Sequence, residues 1–143
     1  MAGYKKILVL LDLTDASEQI AAAGRDMAAH SSAAMVMLHV VEFVPTEPMG
    51  ETLMPTVQIE EELVQRAQAK VNELKSRFGG AQTVARVEAG NVKTEILRVA
   101  KEEAVDLIVL GSRVRHGLGI LVNFTEDTVL HAAHCDVLAV RLH

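Results

Sequence analysis

Apolar and polar positions alternate between two regimes along this chain. Short runs with almost no polar interruption are separated by longer stretches in which apolar residues return every three or four positions. Lys5-Lys6 lead into Ile7-Leu8-Val9-Leu10-Leu11, the pattern of a strand covered on both faces. Ala34-Met35-Val36-Met37-Leu38-His39-Val40-Val41 is a second such run. Gln82 to Glu88 is a third strand, with Val84 and Val87 as its inward residues. Asp106 to Leu110 is the fourth, broken at Gly111-Ser112, and Val137-Leu138-Ala139-Val140 the fifth.

The stretches between these runs carry helical periodicity. Residues 15–30 place Ile20, Ala23, Met27 and Ala28 on one stripe. Thr14 and Asp15 are suitable N-caps there, and Glu18 follows Asp15 at capping-box distance. Residues 57–78 keep Ile59, Leu63, Ala67, Val71 and Leu74 in phase. Glu60, Glu61 and Glu62 suit the dipole of the first turn, and Gly79-Gly80 ends the helix. Residues 92–104 direct Ile96, Leu97, Val99 and Ala100 inward, and residues 123–133 form a last helix. Residues 42–55, with Pro45, Pro48, Gly50 and Pro55, are a connection of the length that often carries function. Every strand is joined to the next by a helical crossover. The predicted fold is therefore α/β, a single doubly wound domain over residues 1–143 with a five-stranded parallel sheet and helices on both faces.

Composition narrows the function. Half of the 143 residues are hydrophobic and 23% are charged, which excludes a disordered chain. The apolar runs fall far short of the roughly 20 residues a bilayer needs. No leader pattern is present and Cys135 is the sole cysteine, so a cytoplasmic location is expected. A net charge of −5 and four aromatic residues argue against nucleic acid as a partner.

The candidate chemistry lies at the carboxyl ends of the strands. A parallel strand ending in Gly111-Ser112, followed by Arg113, Arg115 and His116 and a helix near Asn123, can build a floor for an anion. The same three basic residues read equally as solvated loop charges. Asp12 ends the first strand, where an acid either meets a ligand or caps its own turn through Thr14 or Asp15. Ser112 sits in no Gly-x-Ser-x-Gly elbow and reads as a turn residue. His39, near the end of a buried strand, reads as a hydrogen-bonded residue of the core or edge. His131 and His134 are spaced for a shared metal but have no evident third ligand, so no metal is expected. Cys135 reads as a buried, unreactive thiol, and Met27, Met35 and Met37 as core. There is no Gly-x-Gly-x-x-Gly after the first strand, which excludes a Rossmann dehydrogenase. A phosphoacceptor receiver would need paired acids there, and Asp12 has no acidic neighbour. A flavodoxin-like flavin site fails for want of suitably placed aromatic residues.

These segments together resemble the universal stress protein family over essentially the whole chain. The resemblance rests on the opening strand with Asp12 and its Thr/Ser-rich turn, on Leu38-His39-Val40-Val41, on Asp106-Leu107-Ile108-Val109-Leu110-Gly111-Ser112-Arg113, and on Cys135-Asp136-Val137-Leu138-Ala139-Val140. It implies strand order 3-2-1-4-5 and a homodimer that pairs the last strands. It also implies a nucleotide-type site at Asp12, Thr14, Val40, Val41, Gly111, Ser112, Arg113, Asn123 and Thr125. There Asp12 would contact a ribose or metal, and the backbone at Val40 and Val41 would meet an adenine. Members that bind ATP carry Gly-x2-Gly-x9-Gly-Ser/Thr. Here Gly111 fills the first position, Val114 the second, and Asn123 or Phe124 the third, while Gly117 and Gly119 are off the spacing. A β-branched residue takes positive φ poorly. The expectation is a stress-response regulatory or binding protein without catalysis and without cofactor, acting with unknown protein partners. The alternative is an ATP-binding member, with Mg, a degenerate phosphate loop and at most slow hydrolysis. The dimer has separate support: Val137, Leu138, Ala139 and Val140 on the last strand carry no charge to blunt an open edge.

Overall fold

The computed structural model describes residues 3–42, 56–112, 129 and 131–142. In chain order these form β1 (Lys6–Leu10), α1 (Ser17–Ser31), β2 (Ala34–Val41), α2 (Thr56–Phe78), β3 (Thr83–Ala89), α3 (Val92–Glu102), β4 (Leu107–Ser112) and β5 (Asp136–Arg141). The sheet has order β3-β2-β1-β4-β5, with every neighbouring pair parallel. This is the doubly wound α/β fold expected from the sequence. Of the last expected helix, Val129, His131 and Ala132 are helical, and residues 123–128 and 130 lie outside the described residues.

The sheet has a core on each face. Ile7, Val9 and Leu11 join Met35, Met37 and Leu107 under Ile20 and Ala21 of α1 and Val71 and Leu74 of α2. Leu8, Val36, Leu38 and Ile108 lie on the other face under Ile96, Val99 and Val129. Ile7, Leu8 and Val9 are each 0% exposed, so the middle of β1 has no polar face. That explains why its sequence does not alternate.

Two inward assignments fail. Val84 is 48% exposed. The residues of β3 that face the α2 side are Thr83, Ala85 and Val87, with Thr83 buried. β3 is an edge strand, and its other face is only partly roofed by α3. Leu63, in phase with the core of α2, is 38% exposed.

The missing apolar cover on that β3 face is replaced by charge. Arg86 reaches Glu88, Glu102 and Glu103, while Arg98 reaches Glu88, Glu95 and Glu102. Lys6 of β1 closes the set on Glu103 at 2.7 Å. The network ties the central strand and an edge strand to the same helix.

Two predictions follow from this packing. A Cβ on Gly24 of α1 would overlap the Val9 side chain, so Gly24→Ala should destabilise by about 1–3 kcal/mol despite the better helix propensity of alanine. Urea unfolding measures it, and an unchanged or raised midpoint would refute this packing. The Lys6 ammonium first, then the Arg86 guanidinium, holds the Glu103 carboxyl below its ordinary range. Its stabilisation is complete above the ordinary value and is lost as pH falls through the lowered one. Melting temperature should therefore fall more steeply below about pH 4 in the native protein than in Glu103→Gln.

Candidate functional site

β1 leads to β2 on one side of the sheet and β4 lies on the other, so the crevice of this fold opens at the carboxyl ends of β1 and β4. Asp12 and Thr14 stand at the first of these ends, Gly111 and Ser112 at the second.

The turn after β1 is closed by Asp12 itself. Its Oδ1 accepts from the Thr14 N–H at 3.0 Å, the Thr14 hydroxyl at 2.8 Å and the Ser17 hydroxyl at 2.9 Å. Leu13 is thereby held at φ 59°, a conformation a branched residue adopts only when its surroundings impose it. Its side chain packs on the α1/α2 core. Thr14 Oγ1 accepts from the Ala16 N–H, and the Thr14 carbonyl accepts from the Ser17 N–H. Ser17 is buried. The expectation that Thr14 or Asp15 caps α1 is corrected: the cap position is Ala16, with no side-chain bond, and the helix begins at Ser17. Asp12 organises that start from outside the helix. The Asp-x-Thr-x-x-Ser spacing is the sequence signal of this turn, with Ser17 its third member.

Beside this turn a cleft of about 300 Å³ runs between α1 and α2, lined among others by Thr14, Asp15, Glu18, Lys70, Glu73 and Arg77. Arg77 and Glu18 pair across it. It carries both signs of charge and does not converge on an anion.

Val40 and Val41 are buried at the end of β2, and the Val41 carbonyl accepts from the Gly90 N–H at 3.0 Å. His39 Nδ1 donates to the Leu11 carbonyl at 2.7 Å. That geometry makes His39 a brace between the ends of β1 and β2.

The largest correction concerns Gly111-Ser112. The strand does not break there. β4 continues through Ser112, with Gly111 opposite Val140 and Ser112 opposite Arg141, and the Ser112 carbonyl accepts from the Leu142 N–H at 2.9 Å. A Cβ on Gly111 would lie 2.8 Å from both Ile20 Cδ1 and Leu142 Cδ1. Both atoms are the ends of flexible side chains, so α1 and the end of β5 crowd the strand here without demanding glycine. Arg113, Val114, Arg115, His116, Asn123, Phe124 and Thr125 lie outside the described residues, as do residues 43–55.

The remaining candidates resolve simply. Burial first, then the charges of Asp136 and Asp106, pushes the Cys135 thiol upward, away from a reactive thiolate. Among the described residues no group of three metal-ligating side chains converges. No helix among them is long and apolar enough to cross a membrane.

The profile of the Universal stress protein family matches residues 3–141. The chain belongs to the universal stress protein family. It is 36% identical over 143 residues to Universal stress protein A homolog 2 of Coxiella burnetii, covering 99% of this chain and 98% of that protein. Among solved structures, universal stress protein UspA from Lactobacillus plantarum superposes with TM-score 0.69 at 24% identity, over 99% of this chain and 100% of that one. A universal stress protein in complex with cAMP superposes with TM-score 0.75 at 21% identity, over 96% and 97% of the two chains. At those identities the structural likeness establishes the universal stress protein fold alone.

If Asp12 serves the fold of this universal stress protein, its loss should be felt without any ligand. Asp12→Ala should cost about 1–2 kcal/mol in nucleotide-free protein, and Gly111→Ala less than about 1 kcal/mol, since only side-chain ends must shift. Thermal unfolding reads both. An unchanged melting temperature in Asp12→Ala would contradict its role in the fold.

Proposed function

We propose that this chain is a stress-response regulatory and binding protein of the universal stress protein type. It acts in the cytoplasm as a homodimer, without catalysis of its own and without a functional ATP site. The observation that carries the reading is the engagement of the Asp12 carboxylate by its own turn. The one glycine retained from the nucleotide pattern at its proper spacing lies inside β4, against the side-chain ends of Ile20 and Leu142. Val114 stands where the pattern needs its second glycine.

The homodimer is supported by the contrast between the two sheet edges. The β3 edge carries Arg86 and Glu88, engaged in the ion-pair network, which blunts it against strand addition. β5 has Asp136 and Arg141 only at its ends and Val137, Leu138, Ala139 and Val140 between them. An uncharged edge of this kind invites a partner strand.

A second reading, an ATP-binding member with a degenerate loop that takes Mg-ATP, is favoured by the structural relative in complex with cAMP. Titration calorimetry with Mg-ATP and with cAMP separates the two. The proposed function predicts no saturable heat at ligand concentrations up to about 1 mM. Saturable binding tighter than that, abolished in Asp12→Ala, would replace it with the second reading.

A further inference from the structure

The amino ends of the strands carry a second recess, at the opposite end of the sheet from the crevice. α1 and α2 both finish there, and β2 and β3 both begin there. Between them lies a groove of about 560 Å³, within the range that small-molecule sites occupy. Its apolar surface comes from Ala28, Ala29, Ala33, Met35 and Phe78. Its charged lining is Arg25 and Arg77, and among the described residues no acid lines it. On a chain of net charge −5, that sets this surface apart.

One ring holds both arginines. The guanidinium carbons of Arg25 and Arg77 lie 5.4 and 5.1 Å from the Phe78 centroid. An aromatic face positions a cation without cancelling its charge. The ion pairs of the two arginines leave donors over. Arg25 gives Nε and Nη2 to Asp26 Oδ1 at 3.3 Å each, and Arg77 gives Nη2 to Glu18. A guanidinium has five N–H donors, so each keeps several for a further acceptor. Both side chains are about half exposed, and ion pairs of that exposure hold their partners weakly. Buried Thr83 also lines the groove. Its Oγ1 accepts from the Gly80 N–H at 2.8 Å, and no described residue accepts its own hydroxyl proton. The carbonyls at the end of α1, which would repel an anion, are partly engaged: Ala28 accepts from the Ala33 N–H at 2.9 Å.

We propose that this groove binds a small organic anion, a carboxylate carried on a flat apolar body. The planar forks of Arg25 and Arg77 match a carboxylate. The short side chains of Ala28, Ala29 and Ala33 leave a shallow wall beside Phe78 for the body. Neither part involves the carboxyl-end crevice, so the proposal stands apart from the nucleotide question. Gly80 offers a way to block the groove. A Cβ there would meet nothing within 4 Å, and its backbone is not left-handed, so a side chain is admitted without strain.

An amide NMR titration of the full-length protein with 2-naphthoate at neutral pH tests this. Naphthalene-2-methanol serves as the neutral body and acetate as the bare head group. 2-Naphthoate is expected to saturate with a Kd below about 1 mM, and each control to bind at least about tenfold more weakly. The moving amides should include Ser32, Gly80 and Gln82. Arg25→Gln and Arg77→Gln should each weaken 2-naphthoate about three- to tenfold, and Gly80→Leu should remove its binding, all with unfolding midpoints near that of the native protein. Absence of saturation, or shifts confined to Asp12, Thr14 and Gly111, would overturn the proposal. Equal binding of the neutral alcohol would overturn the anion, and equal binding of acetate the apolar body. An affinity unchanged in either arginine variant would overturn the assignment to this groove.

Discussion

The described elements are arranged around a strand whose middle has no polar side. Ile7 and Val9 of β1 face one core and Leu8 the other, all without solvent contact. A strand so placed must be hydrogen-bonded on both edges and roofed on both faces, so β2 and β4 flank it and helices lie above and below. The demand extends to single atoms: Gly24 of α1 has no room for a methyl group over Val9. Lys6, at the entrance of the same strand, is where the ion-pair network of α3 and β3 is tied back to the centre.

The crevice that this topology creates at the carboxyl ends of β1 and β4 is the place where such folds hold ligands. In this chain both described walls are occupied by the protein's own contacts. Asp12 stabilises an unfavourable Leu13 conformation and the first turn of α1. Gly111 admits Ile20 and Leu142. The same closing residues lead to the sheet edge: Leu142 bonds Ser112, and Gln19, one residue before Ile20, bonds Arg141. The crevice and the edge are thus built from neighbouring residues of α1 and β5.

The fold was legible because its information is local and redundant: five apolar runs, each followed by a helical period, admit few topologies. What the sequence hid depended on residues far apart in the chain. Val84 looks like core until β3 is known to be an edge. Gly111-Ser112 reads as a break because glycine and serine punctuate loops, yet pairing with Arg141 and Leu142 extends the strand through them. Asp15 had the right type and spacing for a cap, but Asp12 holds that turn from three residues earlier. The Lys6–Glu103 and Gln19–Arg141 contacts span most of the chain and leave no periodic trace. At the site, the identities of Asp12, Thr14 and Gly111 were readable, whereas their engagement with Ser17, Ile20 and Leu142 required coordinates.

The proposed function makes this universal stress protein a self-paired binding protein with no nucleotide in its crevice. Native mass spectrometry of protein purified without added nucleotide tests both halves in one spectrum. The account predicts a species of twice the 15.5 kDa chain mass with no adduct. A species of single chain mass, or a dimer carrying an adenine nucleotide, would contradict it.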